Sequence, residues 1–194
     1  GAGAGALTLI TAGHVRAAGR VVAVEPHPRA FMYLQDNIAL NGFQNIFALT
    51  AAVSDKKGPA RVTDYRDFRY NRVCEAGGKV VKADTLDGTL WRLEKGISLL
   101  CLDLNGHEAR ALAVSTETLA HTAVVCFELC RPALAVYGDD VKGVLAPLEK
   151  AGLKLCRFNG KTLEPVPFGQ EPPDGYYYAA RDTEACNARL SEKL

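Results

Sequence analysis

The segment GAGAGALTL at residues 1–9 and the segment RVVAVE at residues 20–25 decide the fold class. The first is a glycine-rich turn that opens a helix, and glycine suits it because its backbone can adopt positive φ and approach a ligand closely. The second is a short apolar strand that ends in Glu25, 20 residues beyond Gly5. In nucleotide-binding βαβ units an acid at about this distance accepts hydrogen bonds from ribose hydroxyls. The two segments therefore predict a βα unit with a nucleotide-type site.

Short apolar runs alternate with helical patterns along the rest of the chain, which is typical of βα units around a parallel sheet. We predict helices over residues 6–18, 28–40, 84 or 85 to about 95, and 139–151. Strands are predicted over residues 20–25, 46–53, 79–83, 97–103 and 123–130, followed by an antiparallel pair, 153–158 and 176–180, around the Asn159-Gly160 turn. Residues 61–78 show no clean period and are predicted to be a long excursion. One domain is expected over 1–181, with a polar tail, 182–194, that forms a loose helix.

The glycine turn stands at an unexpected place in the sequence. In folds of this kind the turn follows the first, central strand, yet here it is the first feature of the chain. A sheet without its central strand would leave two neighbouring strands with unpaired backbone groups, which is costly. We therefore expect that an apolar strand precedes Gly1 in the full protein and that the sequence is truncated at its N-terminus. An added linker over residues 1–6 is the alternative.

The composition is that of a globular protein and narrows the range of partners. The chain has 194 residues, 48% of them hydrophobic and 23% charged, which is enough for one domain with a sizeable core. Its 23 basic and 22 acidic residues give a net charge of +1, which argues against binding to a nucleic-acid backbone. No apolar run reaches the roughly 20 residues that span a bilayer, and no signal peptide is visible. The six cysteines form no CxxC pair, so we expect no metal site and a reduced, cytoplasmic protein.

Six motifs follow one another along nearly the whole chain: GAGAGALTL at 1–9, VVAVEPHPRAF at 21–31, NIALNGFQN at 37–45, AVSDKKG at 52–58, ADTLD at 83–87 and LDLNGHE at 102–108. In this order they resemble the FkbM-type methyltransferases, whose pattern runs from a glycine motif through EPNP, NG, SD-x-x-G and TLD to D-V-E-G-x-E. Gly3 departs from that pattern, since the family commonly has asparagine there, and so does Asn105, where glutamate or glutamine is common. The acids Glu25 and Asp103 are retained.

The resemblance implies an α/β chain with the class I methyltransferase, Rossmann-like fold, a mostly parallel sheet with a C-terminal antiparallel strand pair. It also implies S-adenosylmethionine as the cofactor, in a cleft at the carboxyl ends of the strands, where open α/β sheets bind ligands. The implied contacts are Gly1, Gly3 and Gly5 beneath the methionine part, Glu25 at the ribose, the backbone of Ala52, Val53 and Ser54 at the adenine edge, and Asp103 at the transferred methyl group and the acceptor.

A base that removes a proton from a hydroxyl acceptor would assist methyl transfer. Asp103 and His107 are the catalytic candidates, because they lie four residues apart across a tight turn and histidine titrates near neutral pH. The alternatives are that Asp103 caps the next helix and that His107 is a polar residue in its first turn. Glu108 is expected to brace the same loop or cap the helix, and Glu128, near the end of a later strand, is a weaker candidate.

The leading hypothesis is a methyltransferase that acts on a hydroxyl of a small molecule or sugar, with the preference for oxygen taken from the family resemblance alone. The glycine spacing does not by itself separate S-adenosylmethionine from a nicotinamide cofactor, so a nicotinamide-dependent oxidoreductase is one alternative. A catalytically silent fold that binds a cofactor or a partner is the other. Basic and aromatic residues of the excursion either contact the acceptor or form a solvated insertion: Tyr65, Arg66, Phe68, Arg69, Tyr70 and Arg72.

Overall fold

A computed structural model of the protein describes residues 1–15, 18–90, 96–167, 169 and 171–192. The chain divides into two units, Gly1–Asp84 and Thr85–Leu194. The boundaries expected from the sequence, a domain over 1–181 and a tail over 182–194, stay a prediction. Within the described ranges no helix is long and apolar enough to cross a membrane.

The first unit begins with the glycine turn and then, as predicted, has a helix, a strand and a second helix, but the elements that follow are strands and one 3-10 helix. In its described part, β1 (Val21–Val24) and β2 (Ile46–Leu49) pair in parallel. A second sheet contains β3 (Ala52–Val53), β4 (Gly58–Val62), β5 (Val73–Cys74) and β6 (Lys79–Asp84), in the order β3-β6-β4-β5. In that second sheet β3 and β6 are parallel, whereas β4 is antiparallel to both of its neighbours. The elements are α1 (Ala6–Val15), β1 (Val21–Val24), α2 (Pro28–Leu40), β2 (Ile46–Leu49), β3 (Ala52–Val53), β4 (Gly58–Val62), a 3-10 helix (Phe68–Tyr70), β5 (Val73–Cys74) and β6 (Lys79–Asp84).

Helix α2 has the predicted span and follows the end of β1. Pro28 begins the helix, where its fixed φ suits the first turn and its missing N–H leaves no bond unmade. Ala30 and Leu34 are buried, so one apolar face packs inward. The chain leaves the helix through Gly42, whose φ of +67° is the conformation that a helix stop favours. The prediction over 28–40 is therefore confirmed.

Two predictions in this unit are wrong. The single strand predicted over 46–53 is two strands in different sheets, because β2 pairs with β1 while β3 pairs with β6. Residues 61–78, predicted to be an irregular excursion, contain the end of β4, the 3-10 helix and β5. Val62 is buried in a core cluster with Ala52 and Val81. This tertiary packing stabilises the hairpin of β4 and β5, although the alternation of apolar and polar residues in these strands is too short to indicate them from sequence.

Among its described residues the second unit contains a five-stranded sheet, built from β7 (Ile97–Leu102), β8 (Thr122–Leu129), β9 (Lys154–Phe158), β10 (Leu163–Pro165) and β11 (Gly175–Ala180). The strand order is β10-β9-β11-β8-β7. Strands β7 and β8 are parallel, and the remaining neighbours are antiparallel. The predicted antiparallel pair is confirmed as β9 and β11, but the Asn159-Gly160 turn leads into β10, a short strand that was not predicted. The elements are α3 (Leu86–Leu90), β7 (Ile97–Leu102), α4 (Glu108–Ala113), α5 (Thr116–Ala120), β8 (Thr122–Leu129), α6 (Arg131–Ala135), α7 (Val141–Lys150), β9 (Lys154–Phe158), β10 (Leu163–Pro165), β11 (Gly175–Ala180) and α8 (Thr183–Ser191).

The ends of two predicted helices lie outside the described residues. The helix predicted to reach about residue 95 begins as α3, and residues 91–95 are not among those described. The helix predicted over 6–18 is present as α1 up to Val15, and residues 16 and 17 are likewise outside the description. The polar tail forms α8, capped by the Asp182 carboxylate, which accepts the Ala185 N–H.

Among the described residues strand β7 pairs with β8, and its side chains form one buried row and one exposed row. Leu100 and Leu102 are buried, whereas Leu99 is 45% exposed and Cys101 is also exposed. Because side chains alternate between the two faces of a strand, the sequence ISLLCL has one core-facing and one exposed row. Cys101, although it lies within this apolar run, therefore belongs to the exposed row.

Arg181, directly after β11, joins three backbone segments of the second unit. Its guanidinium donates hydrogen bonds to the carbonyl oxygens of Leu119, Thr122 and Ala151, at 2.8, 3.2 and 3.0 Å. These carbonyls belong to α5, to the first residue of β8 and to the C-cap of α7. A guanidinium carries five N–H donors in a fixed plane, so one side chain satisfies acceptors in three elements.

Candidate cofactor-binding site

The glycine turn is held against the carboxyl end of β1. The Ala2 N–H donates to the carbonyl of Val24 at 2.9 Å, and the Gly3 N–H donates to Oε2 of Glu25 at 2.8 Å. Gly3 takes φ +56° and Gly5 takes φ +97°, conformations that residues with a Cβ rarely adopt. The turn and the acid, separated by about 20 residues in sequence, are therefore in direct contact.

Glu25 is buried, with 6% of its surface exposed, and both of its oxygens accept backbone hydrogen bonds. Oε2 accepts from Gly3, and Oε1 accepts from the His27 N–H at 2.9 Å. A carboxylate offers about four lone-pair positions, two on each oxygen. The two backbone bonds leave one position on each oxygen, which is the arrangement that two vicinal ribose hydroxyls require. The acceptors of this site therefore fit a vicinal diol, such as the ribose of S-adenosylmethionine.

Helix α2 fixes the other side of the glycine turn. The Asn37 side-chain amide donates to the carbonyl of Ala4 at 2.8 Å. A Cβ added to Gly5 would lie 2.6 Å from Cδ1 of the buried Leu34, a distance that real contacts essentially never show. Glycine at this position therefore allows the turn to approach α2 closely, and both neighbours of the turn, β1 and α2, set its shape.

An ion-pair cluster that the sequence analysis missed lies beside Glu25. His27 is 1% exposed, and its Nε2 lies 3.0 Å from Oδ1 of Asp64. Asp64 also pairs with Lys79, whose Nζ lies 3.1 Å from Oδ2, and with Arg29, whose guanidinium lies 3.6 Å from Oδ1. The hydrogen bond from Lys79, and then that from His27, lowers the pKa of Asp64 below its ordinary value. His27 and Asp64 are 37 residues apart, so no local pattern could have predicted the contact.

The 3-10 helix of the first unit brings an aromatic ring to the glycine turn. Cε2 of Phe68 lies 4.0 Å from the position that a Cβ on Gly3 would occupy. The ring also lies near Tyr33 of α2, with a centroid distance of 6.0 Å and an interplanar angle of 46°. Of the basic and aromatic residues noted in the sequence, Phe68 is thus placed next to the turn, whereas Tyr65 and Tyr70 are exposed.

The residues expected near the adenine edge form the start of the second sheet of this unit. Ala52, Val53 and Ser54 are all buried. The Ser54 N–H donates to the carbonyl of Asp84 at 2.9 Å, which continues the parallel pairing of β3 with β6. Their contact with adenine stays a prediction.

In the second unit, the residues expected to act on the acceptor follow β7. Glu108 is 2% exposed and accepts the N–H groups of Leu104 and Gly106, at 2.6 and 2.9 Å. Burial raises the pKa of Glu108. The expectation that Glu108 braces this loop is confirmed. His107 is buried as well, and its ring lies edge-on to the ring of Tyr137, with the two ring centroids 4.9 Å apart. The catalytic role of His107 stays a prediction, and the burial of its ring counts against it.

The turn between Asp103 and Glu108 depends on two consecutive residues with positive φ. Asn105 has φ +53° and Gly106 has φ +98°. A Cβ added to Gly106 would lie 2.2 Å from the carbonyl oxygen of Ala133. Asparagine is among the few residues with a side chain that adopt the left-handed region readily, so it suits position 105 of this turn.

Asp103 directly follows β7 and is exposed. Its charge contributes to raised pKa values at Glu128 and Tyr176, with burial the larger cause at both. Glu128 and Tyr176 face each other in the antiparallel register of β8 and β11. Tyr176 was not among the predicted site residues, because its strand follows β7 only after many intervening residues and carries no motif of its own.

Comparisons with known proteins support the fold. No protein-family model matches the chain, and no curated protein matches it in sequence. Among solved structures, a precorrin-6y C5,15-methyltransferase from Geobacter metallireducens superposes with a TM-score of 0.52 at 15% identity, covering 94% of this chain and 77% of the other. A fibrillarin from Aeropyrum pernix, solved with bound S-adenosyl-L-methionine, gives a TM-score of 0.51 at 15% identity over 93% of this chain. The chain has a class I methyltransferase fold. It spans 64% of the length of that fibrillarin chain.

The class I methyltransferase fold confirms the predicted fold class. It accords with the parallel pairs β1–β2, β3–β6 and β7–β8 and with the antiparallel strand β11 near the C-terminus. The identities are too low to transfer a substrate or a residue role. The expectation that a strand precedes Gly1 stays a prediction.

Proposed function

We propose that this chain is part of an S-adenosylmethionine-dependent methyltransferase of the FkbM type that methylates a hydroxyl of a small molecule or sugar. The observation that carries the proposal is the 2.8 Å hydrogen bond from the Gly3 N–H to Glu25, which joins the glycine turn to the acid. The class I methyltransferase fold and the ordered motifs of the sequence support it. The balanced charge of the chain supports an acceptor other than a nucleic acid.

The cofactor would be held by residues of the first unit. Glu25 would accept the two ribose hydroxyls through its remaining lone pairs, while the turn from Gly1 to Gly5 would leave room for the methionine part. Buried charge-assisted bonds of this kind are among the stronger polar contacts. When bound, the cofactor supplies a methyl group that is already activated on a sulfonium, so the protein has chiefly to bind and orient the reactants.

Asp103 is the proposed base. Its carboxylate is exposed at the end of β7, where an acceptor hydroxyl could transfer its proton to one of the carboxylate oxygens. General-base assistance of this kind contributes about 10²–10⁴-fold to rate. Glu108 and the left-handed pair Asn105 and Gly106 shape the loop that follows Asp103, so they are positioning residues rather than participants in proton transfer.

Two measurements test the proposal. Isothermal titration calorimetry with S-adenosylhomocysteine should detect binding, and labelled S-adenosylmethionine should pass its label to at least one member of a panel of hydroxyl compounds. Binding without transfer to any acceptor would favour a catalytically silent fold. Binding of a nicotinamide dinucleotide by a protein with no affinity for S-adenosylhomocysteine would favour an oxidoreductase and reject the proposal.

A further inference from the structure

We propose that Phe68 forms an aromatic wall of the cofactor site and contacts the adenosine part of the cofactor. This inference rests on the proposed function, because it takes Glu25 as the ribose ligand. Phe68 lies in the segment between β4 and β5, which the sequence motifs leave unassigned. The inference is confined to the first unit, Gly1–Asp84, where all of the residues concerned lie.

The position of the ring is the first part of the evidence. Phe68 Cε2 lies at van der Waals distance, 4.0 Å, from the place where Gly3 would carry a Cβ. The ring therefore stands on the side-chain side of the glycine turn. The N–H of the same Gly3 donates to Glu25. One residue thus separates the phenyl ring from the carboxylate, so a nucleoside bound to Glu25 would lie within reach of the ring.

The ring is held in place at its own segment. Tyr33 of α2 packs against Phe68, and Asp67 begins the 3-10 helix by accepting the Arg69 N–H at 3.1 Å. Phe68 is half-buried, so part of its ring is covered by protein and part remains available. A ring fixed in this way needs little further ordering when a ligand binds, which favours affinity.

The start of the segment is tied to the residues that follow Glu25. Asp64 pairs with His27, whose N–H binds the Glu25 carboxylate. The Arg29 guanidinium donates to the Tyr65 carbonyl at 2.6 Å. The ring and the acid are thus anchored to one stretch of backbone at the beginning of α2, and movement of this segment would displace both.

The chemistry of a phenyl ring suits an adenosine ligand. Aromatic side chains contact nucleobases and sugars through their faces and edges without hydrogen-bond requirements, and base–aromatic contacts contribute substantially to affinity. We expect loss of the Phe68 contact to weaken binding of the cofactor about tenfold. The same contact should be felt by adenosine alone, since adenosine is the part of the cofactor that Glu25 would hold.

The first test measures binding of adenosine and S-adenosylhomocysteine by calorimetry to the wild type, Phe68→Ala, Phe68→Leu and Tyr70→Leu. Tyr70 is the matched control, because it belongs to the same 3-10 helix and is 63% exposed. We expect Phe68→Ala to weaken both ligands about tenfold, Phe68→Leu to weaken them less, and Tyr70→Leu to leave both unchanged. A wild type that binds neither ligand would sink the proposed function. A wild type that binds both, with Phe68→Ala equal to it, would overturn this inference alone.

The second test separates contact with the ligand from an effect on folding. A 4-fluorophenylalanine placed at position 68 keeps the size of the ring, and its ¹⁹F resonance should shift when S-adenosylhomocysteine is added. The same probe at position 70 should not shift. A resonance at position 68 that stays unchanged at saturating ligand would overturn the inference, whatever the affinity of Phe68→Ala.

Discussion

Glu25 holds the glycine turn through two backbone hydrogen bonds, and these bonds set the stability that the carboxylate contributes. Its oxygens accept the N–H groups of Gly3 and His27, at 2.8 and 2.9 Å. Hydrogen bonds to a charged group contribute about 1.5–3 kcal/mol each, and a buried donor left without an acceptor costs about 1–3 kcal/mol. The Gly3 N–H is only partly buried and can bind water after substitution, whereas the His27 N–H is buried. We therefore expect Glu25→Ala to lower the free energy of unfolding by about 3 kcal/mol.

Glu25→Gln should lie between Glu25→Ala and the wild type. The amide keeps one oxygen for one of the two N–H groups but turns an NH₂ donor toward the other, so we expect a loss of about 1.5 kcal/mol. Asp36→Ala is the control, because Asp36 is an exposed acid of α2 and exposed substitutions usually stay within about 0.5 kcal/mol. Affinity for S-adenosylhomocysteine, measured on Glu25→Gln, should fall about tenfold, since a charge-assisted bond to ribose is lost.

Urea unfolding followed by circular dichroism gives the three free energies. The expected order of loss is Glu25→Ala, then Glu25→Gln, then Asp36→Ala with almost none. If Glu25→Ala unfolds at the same urea concentration as the wild type, the carboxylate does not hold the glycine turn and the reasoning fails. If stability falls as expected but Glu25→Gln binds S-adenosylhomocysteine as tightly as the wild type, Glu25 is a structural residue and not the ribose ligand.

Three further predictions concern other parts of the chain. Because neighbouring cations lower the pKa of Asp64, its stabilising contribution is full above the ordinary value of 3.8 and is lost as the pH falls through the lowered pKa. Thermal melts should therefore show Asp64→Asn less stable than the wild type near neutral pH, with a difference in melting temperature that closes in acid. A difference that widens in acid would contradict this. Gly106→Ala should lower the free energy of unfolding by more than about 2 kcal/mol, since strain at positive φ adds to a clash with backbone. Gly42→Ala is the control, because Gly42 has φ +67° and open space around it, and it should cost about 1 kcal/mol. Equal losses in the two variants would show that the clash at Gly106 relaxes freely. Asp103→Ala should lower the turnover number by about 10²-fold or more while leaving affinity for S-adenosylhomocysteine nearly unchanged, and equal losses in both would make Asp103 a binding residue.

Local patterns in the sequence predicted the parts of the fold that are decided locally. The span of α2 follows from Pro28, the apolar face around Leu34 and the stop at Gly42, and the structure confirms it. The approach of the glycine turn to Glu25 was also expected, because the spacing belongs to one βα unit. These features depend on residues within one or two neighbouring elements, which a single sequence records.

Features decided by distant partners were not predictable. The strand predicted over 46–53 divides because its two halves find different partners, β1 and β6. Asp64 reaches His27 across 37 residues, and Phe68 reaches Gly3 across a hairpin whose pairing depends on a buried core cluster.

The three hydrogen bonds of Arg181 couple the local unfolding of three segments of the second unit. A helix end normally frays by itself, but here the ends of α5 and α7 share one permanently charged donor with the start of β8. Releasing any one of these segments weakens the attachment of the other two. Hydrogen exchange of the backbone amides in these segments should therefore change together, as expected of a single cooperative unit. Arg181→Lys should uncouple their exchange rates, because a lysine ammonium lacks the planar group that spans all three carbonyls.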